Sequence, residues 1–142
     1  MLQLLHPRLW LLLGSLMVIF VVTASLVPSS VVETVLGGLS DKLEHAAAYG
    51  ALMVWFGGMF RKGLHPWIGG ALVVLGGVVE LLQGLTPTRT PDVVDLAADA
   101  TGVALGLALS MTVLHAWCQR IERLFLVKRS EEHTSELQSR GL

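Results

Sequence analysis

Asp41, His45 and Tyr49 follow one another at intervals of four residues, so on a helix they stack along one stripe. A carboxylate, an imidazole and a phenol in that order can accept a proton, hold a cation or bind a polar ligand. Two further sets share this character. Glu80 and Gln83 are spaced i, i+3, and Asp92, Asp95 and Asp99 are spaced i, i+3, i+7. Lys42 and Arg89 lie beside these groups in the chain, and Glu44 adds another acid. Six acids thus stand against two fixed cations and His45. Packed together, they must be partly protonated, partly solvated or neutralised by a bound cation.

The elements that carry these residues are apolar. Of the 142 residues 53% are hydrophobic and only 15% charged, with a formal net charge of −1 and a mean hydropathy of +0.65. Soluble domains carry roughly 25% charged residues, so the composition argues for a small polytopic membrane protein. The near-zero charge and the lack of a basic stripe give no reason to expect a nucleic-acid partner. The lone cysteine, Cys118, excludes an intrachain disulfide and a cysteine-built zinc site.

Four apolar stretches read as spans: Leu9 to Val27, Leu43 to Phe60, Trp67 to Leu85, and about Pro91 to Trp117. The reading is all-α, a polytopic transmembrane bundle of four helices. A cleaved signal peptide competes for the first stretch, because Val22-Thr23-Ala24 resembles a cleavage site. Its apolar run exceeds the usual 7–15-residue core of such peptides, which favours a retained helix. His6 and Arg8 precede the first span, Arg61 and Lys62 follow the second, and Arg120, Arg123 and Lys128 follow the fourth. The positive-inside rule then places both termini in the cytoplasm, with the first and third loops outside.

Turn chemistry agrees with these boundaries. Arg61 to Pro66 is a breaker-rich link between antiparallel helices. Thr90 is expected to cap the fourth helix with Pro91 at its first position, and Ser40-Asp41 to start the second. Ser29 to Ser40 has too weak a pattern to assign. On this topology Asp41, Lys42, His45, Tyr49, Glu80, Gln83, Arg89, Asp92, Asp95 and Asp99 gather toward the outer leaflet. Gly69, Gly76 and Gly77 on the third helix, and Gly102 and Gly106 on the fourth, allow close helix approach. The polar stripes are therefore expected to point into the bundle, where ionisable groups are costly and mark function by default.

The succession Ser40-Asp41-Lys42-Leu43-Glu44-His45, Tyr49, Glu80-Leu81-Leu82-Gln83, Arg89, Asp92, Asp95 and Gly102 resembles the VanZ-like membrane protein family over roughly Leu9 to Trp117. The chain departs from that pattern at Asp99, where the family commonly carries asparagine. The resemblance implies a multi-pass protein of the cytoplasmic membrane with a cell-envelope role. The founding members are associated with low-level resistance to the glycopeptide teicoplanin.

Two function classes follow. One is a non-enzymatic envelope protein in the lipid bilayer that binds a lipid-linked or glycopeptide ligand at the outer leaflet, with Arg89 suited to a phosphate or carboxylate. The other is a membrane-embedded hydrolase or transferase acting on a lipid-linked substrate, with His45 or Glu80 as general base. A divalent metal held by His45 and the acids is a variant of the second. No HExxH-type metal signature is present and no nucleophile stands out. The domain is expected to comprise residues 1–128. The string RSEEHTSELQS from Arg129 reads as translated sequencing adapter, so 129–142 are set aside as an artefactual, disordered tail. Without that tail the chain holds eight basic and eight acidic residues.

Overall fold

The computed structural model describes residues 1–27, 40–86 and 91–126, and all regular structure among them is helical. Helix α1 spans Pro7–Leu26 and α2 spans Asp41–Met59. A 3₁₀ turn at Lys62–Leu64 leads into α3, His65–Gln83, and α4 spans Val93–Met111. Residues 117–126 form a last helix, α5. Arg89, Thr90, most of the Ser29–Ser40 segment and the tail from Arg129 lie outside the described residues.

Each boundary has a local cause. Proline occupies the first turn of α1 and of α3, where its missing N–H costs nothing. Ser40 caps α2, its side chain accepting from the Leu43 N–H at 3.4 Å. The fourth helix differs from expectation at both ends. Asp92, not Thr90, is its N-cap, and its carboxylate accepts from the Val94 N–H at 2.8 Å. A side chain that can cap two residues further on sets the start there, and Pro91 remains outside the helix.

The helix also stops at Met111 rather than running to Trp117. Thr112 leaves helical geometry and Ala116 has a positive φ of 54°. The Lys62 ammonium donates to the freed Met111 carbonyl at 2.8 Å. Trp117 opens α5 instead, and its indole N–H donates to the Val54 carbonyl at 3.0 Å.

Helices α1, α4 and the 62–83 unit are long and apolar enough to cross a membrane. Helix α2 has the same length, but Asp41, Lys42, Glu44 and His45 lower its hydropathy. It is also the helix with the fewest large apolar side chains on the outside, only Leu43, whereas Leu12, Phe20, Val74, Leu81 and Leu105 project from the others. The buried set is the reverse, with Tyr49, Leu52 and Met53 beside His45, Glu80, Gln83, Asp95, Asp99 and Ser110. An apolar exterior around a partly polar interior suits a hydrocarbon solvent and marks this as a membrane protein.

Small residues set the packing. Helix α2 packs most extensively against α4. A Cβ added at Gly102 would collide with the Ala46 carbonyl, and one at Gly106 would stand 2.6 Å from the Gly50 carbonyl. A Cβ at Gly50 would in turn lie 3.2 Å from the Gly102 oxygen. Thus Ala46 and Gly50 of α2 meet Gly102 and Gly106 of α4, backbone on backbone. On α3, Gly69 faces Val103 and Gly76 faces the Asp99 carboxylate, both on α4. Gly77 departs from the expected packing role, since an added Cβ there meets nothing within 4 Å. It lies one residue, about 100°, around the helix from Gly76 and off the contact line.

At the end away from the acids, Trp10, Trp55 and Trp117 form a triangle with ring centroids 5.4 Å apart. Glu122 of α5 fastens the chain start there, accepting from the Leu5 and His6 N–H groups at 2.7 and 3.0 Å and from Trp10 Nε1 at 2.8 Å. Burial raises the Glu122 carboxyl, but those three donors outweigh it and hold the pKa below the ordinary glutamate value.

Gly102→Ala is expected to destabilise the protein by about 1–3 kcal/mol, because its methyl has no room. Gly77→Ala should be neutral or stabilising by up to about 1 kcal/mol through helix propensity. Denaturant unfolding of the two variants in detergent, side by side, measures the contrast.

Candidate functional site

One end of the bundle gathers the polar residues of α2, α3 and α4. Ser40 starts α2 so that Asp41, His45 and Tyr49 stack toward α4, with His45 7% and Tyr49 1% exposed. Asp92 starts α4 so that Asp95 and Asp99 face back, 5% and 1% exposed. Because Gly102 sits one turn past Asp99, the close approach of backbones there draws the two polar stripes into contact. His45 Nδ1 lies 2.9 Å from Asp99 Oδ1, a buried pair linking α2 to α4.

Nearer the rim, the Lys42 ammonium donates to Asp95 Oδ1 at 2.7 Å and to Asp92 Oδ2 at 2.9 Å. The Val94 N–H and then Lys42 hold the Asp92 carboxyl below its usual range. From α3, Glu80 Oε2 accepts from the Asp92 N–H at 2.9 Å, which fixes the entry of α4. Gln83, one turn on, donates from Nε2 to the Ser25 carbonyl at 2.8 Å and so ties α1 to α3.

Among the described residues three buried oxygens have no hydrogen-bond partner: Tyr49 Oη, Glu80 Oε1 and Asp99 Oδ2. They come from three different helices around the His45–Asp99 pair. Buried polar atoms are rarely left unpaired, so their coincidence marks this place as unusual. One ligand atom each of Asp41, His45 and Asp95 also fall within 4.8 Å of one another.

Of the residues expected at the site, Asp41, Lys42, His45, Tyr49, Glu80, Asp92, Asp95 and Asp99 therefore stand together. Gln83 is buried at the same end but is used to hold α1. Arg89 falls outside the described residues. Ala46 and Gly50 position the stripe, and their only signal in the sequence is the small-residue run Ala46-Ala47-Ala48 with Gly50. Glu122 has no local sequence signal, because its partners are mostly backbone N–H groups more than a hundred residues away.

Fold and site together define a helical membrane protein with an inward-facing, acid-rich cluster at one end. No protein-family model, curated protein or solved structure matches the chain.

The lowered Asp92 pKa sets a sign for acid sensitivity. Its carboxylate contributes stability that is fully present above the ordinary aspartate range and is lost as pH falls through the depressed value. Melting temperature in detergent should therefore fall more steeply toward acid in the parent than in Asp92→Asn. Parallel pH profiles would show that the Asp92 carboxylate, held by the Val94 N–H and Lys42, carries none of it.

Proposed function

We propose that this chain is a multi-pass protein of the cytoplasmic membrane, of the VanZ-like type, with four spanning helices and both termini in the cytoplasm. In this reading its polar end faces outward and binds a lipid-linked envelope precursor or a glycopeptide at the outer leaflet. In the family it resembles, the founding members are associated with low-level teicoplanin resistance, one form that such a role can take. The observation that carries the reading is the set of unpartnered buried oxygens of Tyr49, Glu80 and Asp99, which offers a ligand hydrogen-bonding positions already desolvated. The cluster opens at the Lys42–Asp92 rim, whose side chains are 46% and 41% exposed. Basic residues at Arg61, Lys62, Arg120 and Arg123 toward the opposite end support the orientation.

A second reading, a hydrolase or transferase acting on a lipid-linked substrate, draws support from the His45–Asp99 pair. An aspartate against Nδ1 orients an imidazole and stabilises its protonated form, which suits a general base.

The binding reading predicts that expression in a susceptible bacterium shifts teicoplanin tolerance, and that His45→Ala and Glu80→Gln proteins still present in the membrane lose at least most of the shift. Undiminished tolerance with both variants would make the cluster structural. Turnover of a lipid-linked substrate by purified protein, abolished by His45→Ala, would instead favour the catalytic reading. For topology, cysteines at 41 and 62 in a Cys118→Ser background should label from outside and inside respectively; reversed labelling would contradict the orientation.

A further inference from the structure

We propose that Asp41, His45 and Asp95 form a site for one divalent transition cation of the Zn²⁺ or Mn²⁺ class, backed on the bundle side by Asp99, Glu80 and Tyr49. The three ligands come from two helices that the Ala46–Gly102 and Gly50–Gly106 contacts hold together. Asp41 and His45 are i, i+4 on α2 and share a face, while Asp95 reaches them from α4. Their ligand atoms lie within 4.8 Å of one another. Tetrahedral bonds of about 2.0–2.2 Å to a common ion put ligand atoms roughly 3.3–3.6 Å apart, so side-chain rotation of about an ångström closes the set.

The donor set fits that class of cation. One imidazole with two carboxylates suits zinc or manganese better than calcium, which takes six to eight oxygens. Two carboxylates also balance a divalent charge. Lys42 holds only one oxygen of Asp95, Oδ1, and its half-exposed ammonium is free to turn toward Asp92 alone.

Two further observations point at the same place. His45 presents Nδ1 to Asp99 Oδ1 at 2.9 Å. A carboxylate there keeps the proton on Nδ1 and leaves the Nε2 lone pair for a metal, the arrangement by which metal-binding histidines are oriented. Independently, Tyr49 Oη, Glu80 Oε1 and Asp99 Oδ2 are buried without partners. Tyr49 is fully buried one turn from His45, within electrostatic reach of Asp99 and Glu80. Waters on a cation with only three protein ligands would supply the donors that these oxygens lack.

The site goes beyond the envelope-ligand reading and stands without it, since the metal alone is the probe. Protein purified in detergent through a histidine-free tag and stripped with chelator is titrated with Zn²⁺ and with Mn²⁺. Bound metal is counted by elemental analysis, and the melting temperature is followed. Expected are one equivalent per chain and a rise in melting temperature with metal concentration. Asp99→Asn, which keeps the shape of the side chain, should weaken binding by about 10–100-fold, and His45→Ala should abolish it. His6→Ala, at the opposite end, should load like the parent. A folded parent that takes up no metal, or equal loading of the parent, His45→Ala and Asp99→Asn, would overturn the site.

Discussion

Everything at the polar end depends on how closely α2 and α4 approach. Ala46 and Gly50 press on Gly102 and Gly106 with no side chain between the backbones. That spacing is what allows the short side chains of His45 and Asp99, one turn away, to meet at 2.9 Å. Any bulk at these four positions would push the polar stripes apart before it disturbed the ends of the bundle. Glycine normally weakens a helix, so two of them in α4 facing two small residues in α2 exchange intrinsic helix propensity for proximity.

The second constraint is the inverted distribution of polarity. Leucine, valine and phenylalanine side chains line the outside, while carboxylates, imidazole and amides occupy the interior. In hydrocarbon such groups cannot find water, so each needs a partner within the protein. Most have one. Asp92 serves as cap and as half of the Lys42 bridge, Glu80 anchors the start of α4, and Gln83 holds the end of α1. Among the described residues the unpaired oxygens of Tyr49, Glu80 and Asp99 are the exceptions at this end, and His65 Nδ1 and His115 Nδ1 are unpaired elsewhere. At the other end Glu122 satisfies the chain start and the indole N–H groups of Trp10, Trp55 and Trp117 each have an acceptor, while those two histidine nitrogens do not pair. The polar end is thus where unpaired buried oxygens from three helices gather.

Much of this was legible in the residues. Helical spacing placed Asp41, His45 and Tyr49 on one stripe and Asp95 with Asp99 on another, and both stripes face inward as the glycines suggested. The ends of α4 were less legible. Thr90-Pro91 is a good start signal, yet Asp92 competes for the same role, and local chemistry alone does not rank two adjacent caps. Likewise the apolar run from Met111 to Trp117 continues the hydropathy of α4, and only the positive φ at Ala116 and the Trp117–Val54 bond reveal a new helix. Gly76 and Gly77 differ by one residue in sequence but by a face of the helix. Periodicity placed both in glycine rows without saying which row meets α4.

The account rests on His45 and Asp99 acting as one unit between α2 and α4. A double-mutant cycle on detergent-solubilised protein, with His45→Ala, Asp99→Ala and the pair, measures that directly. Coupled loss is the prediction: the double variant should be more stable than the sum of the single losses implies, by about 1–2 kcal/mol. Losses that add within about 0.5 kcal/mol would mean that the two side chains do not interact, and would contradict the inward-facing site on which the rest is built.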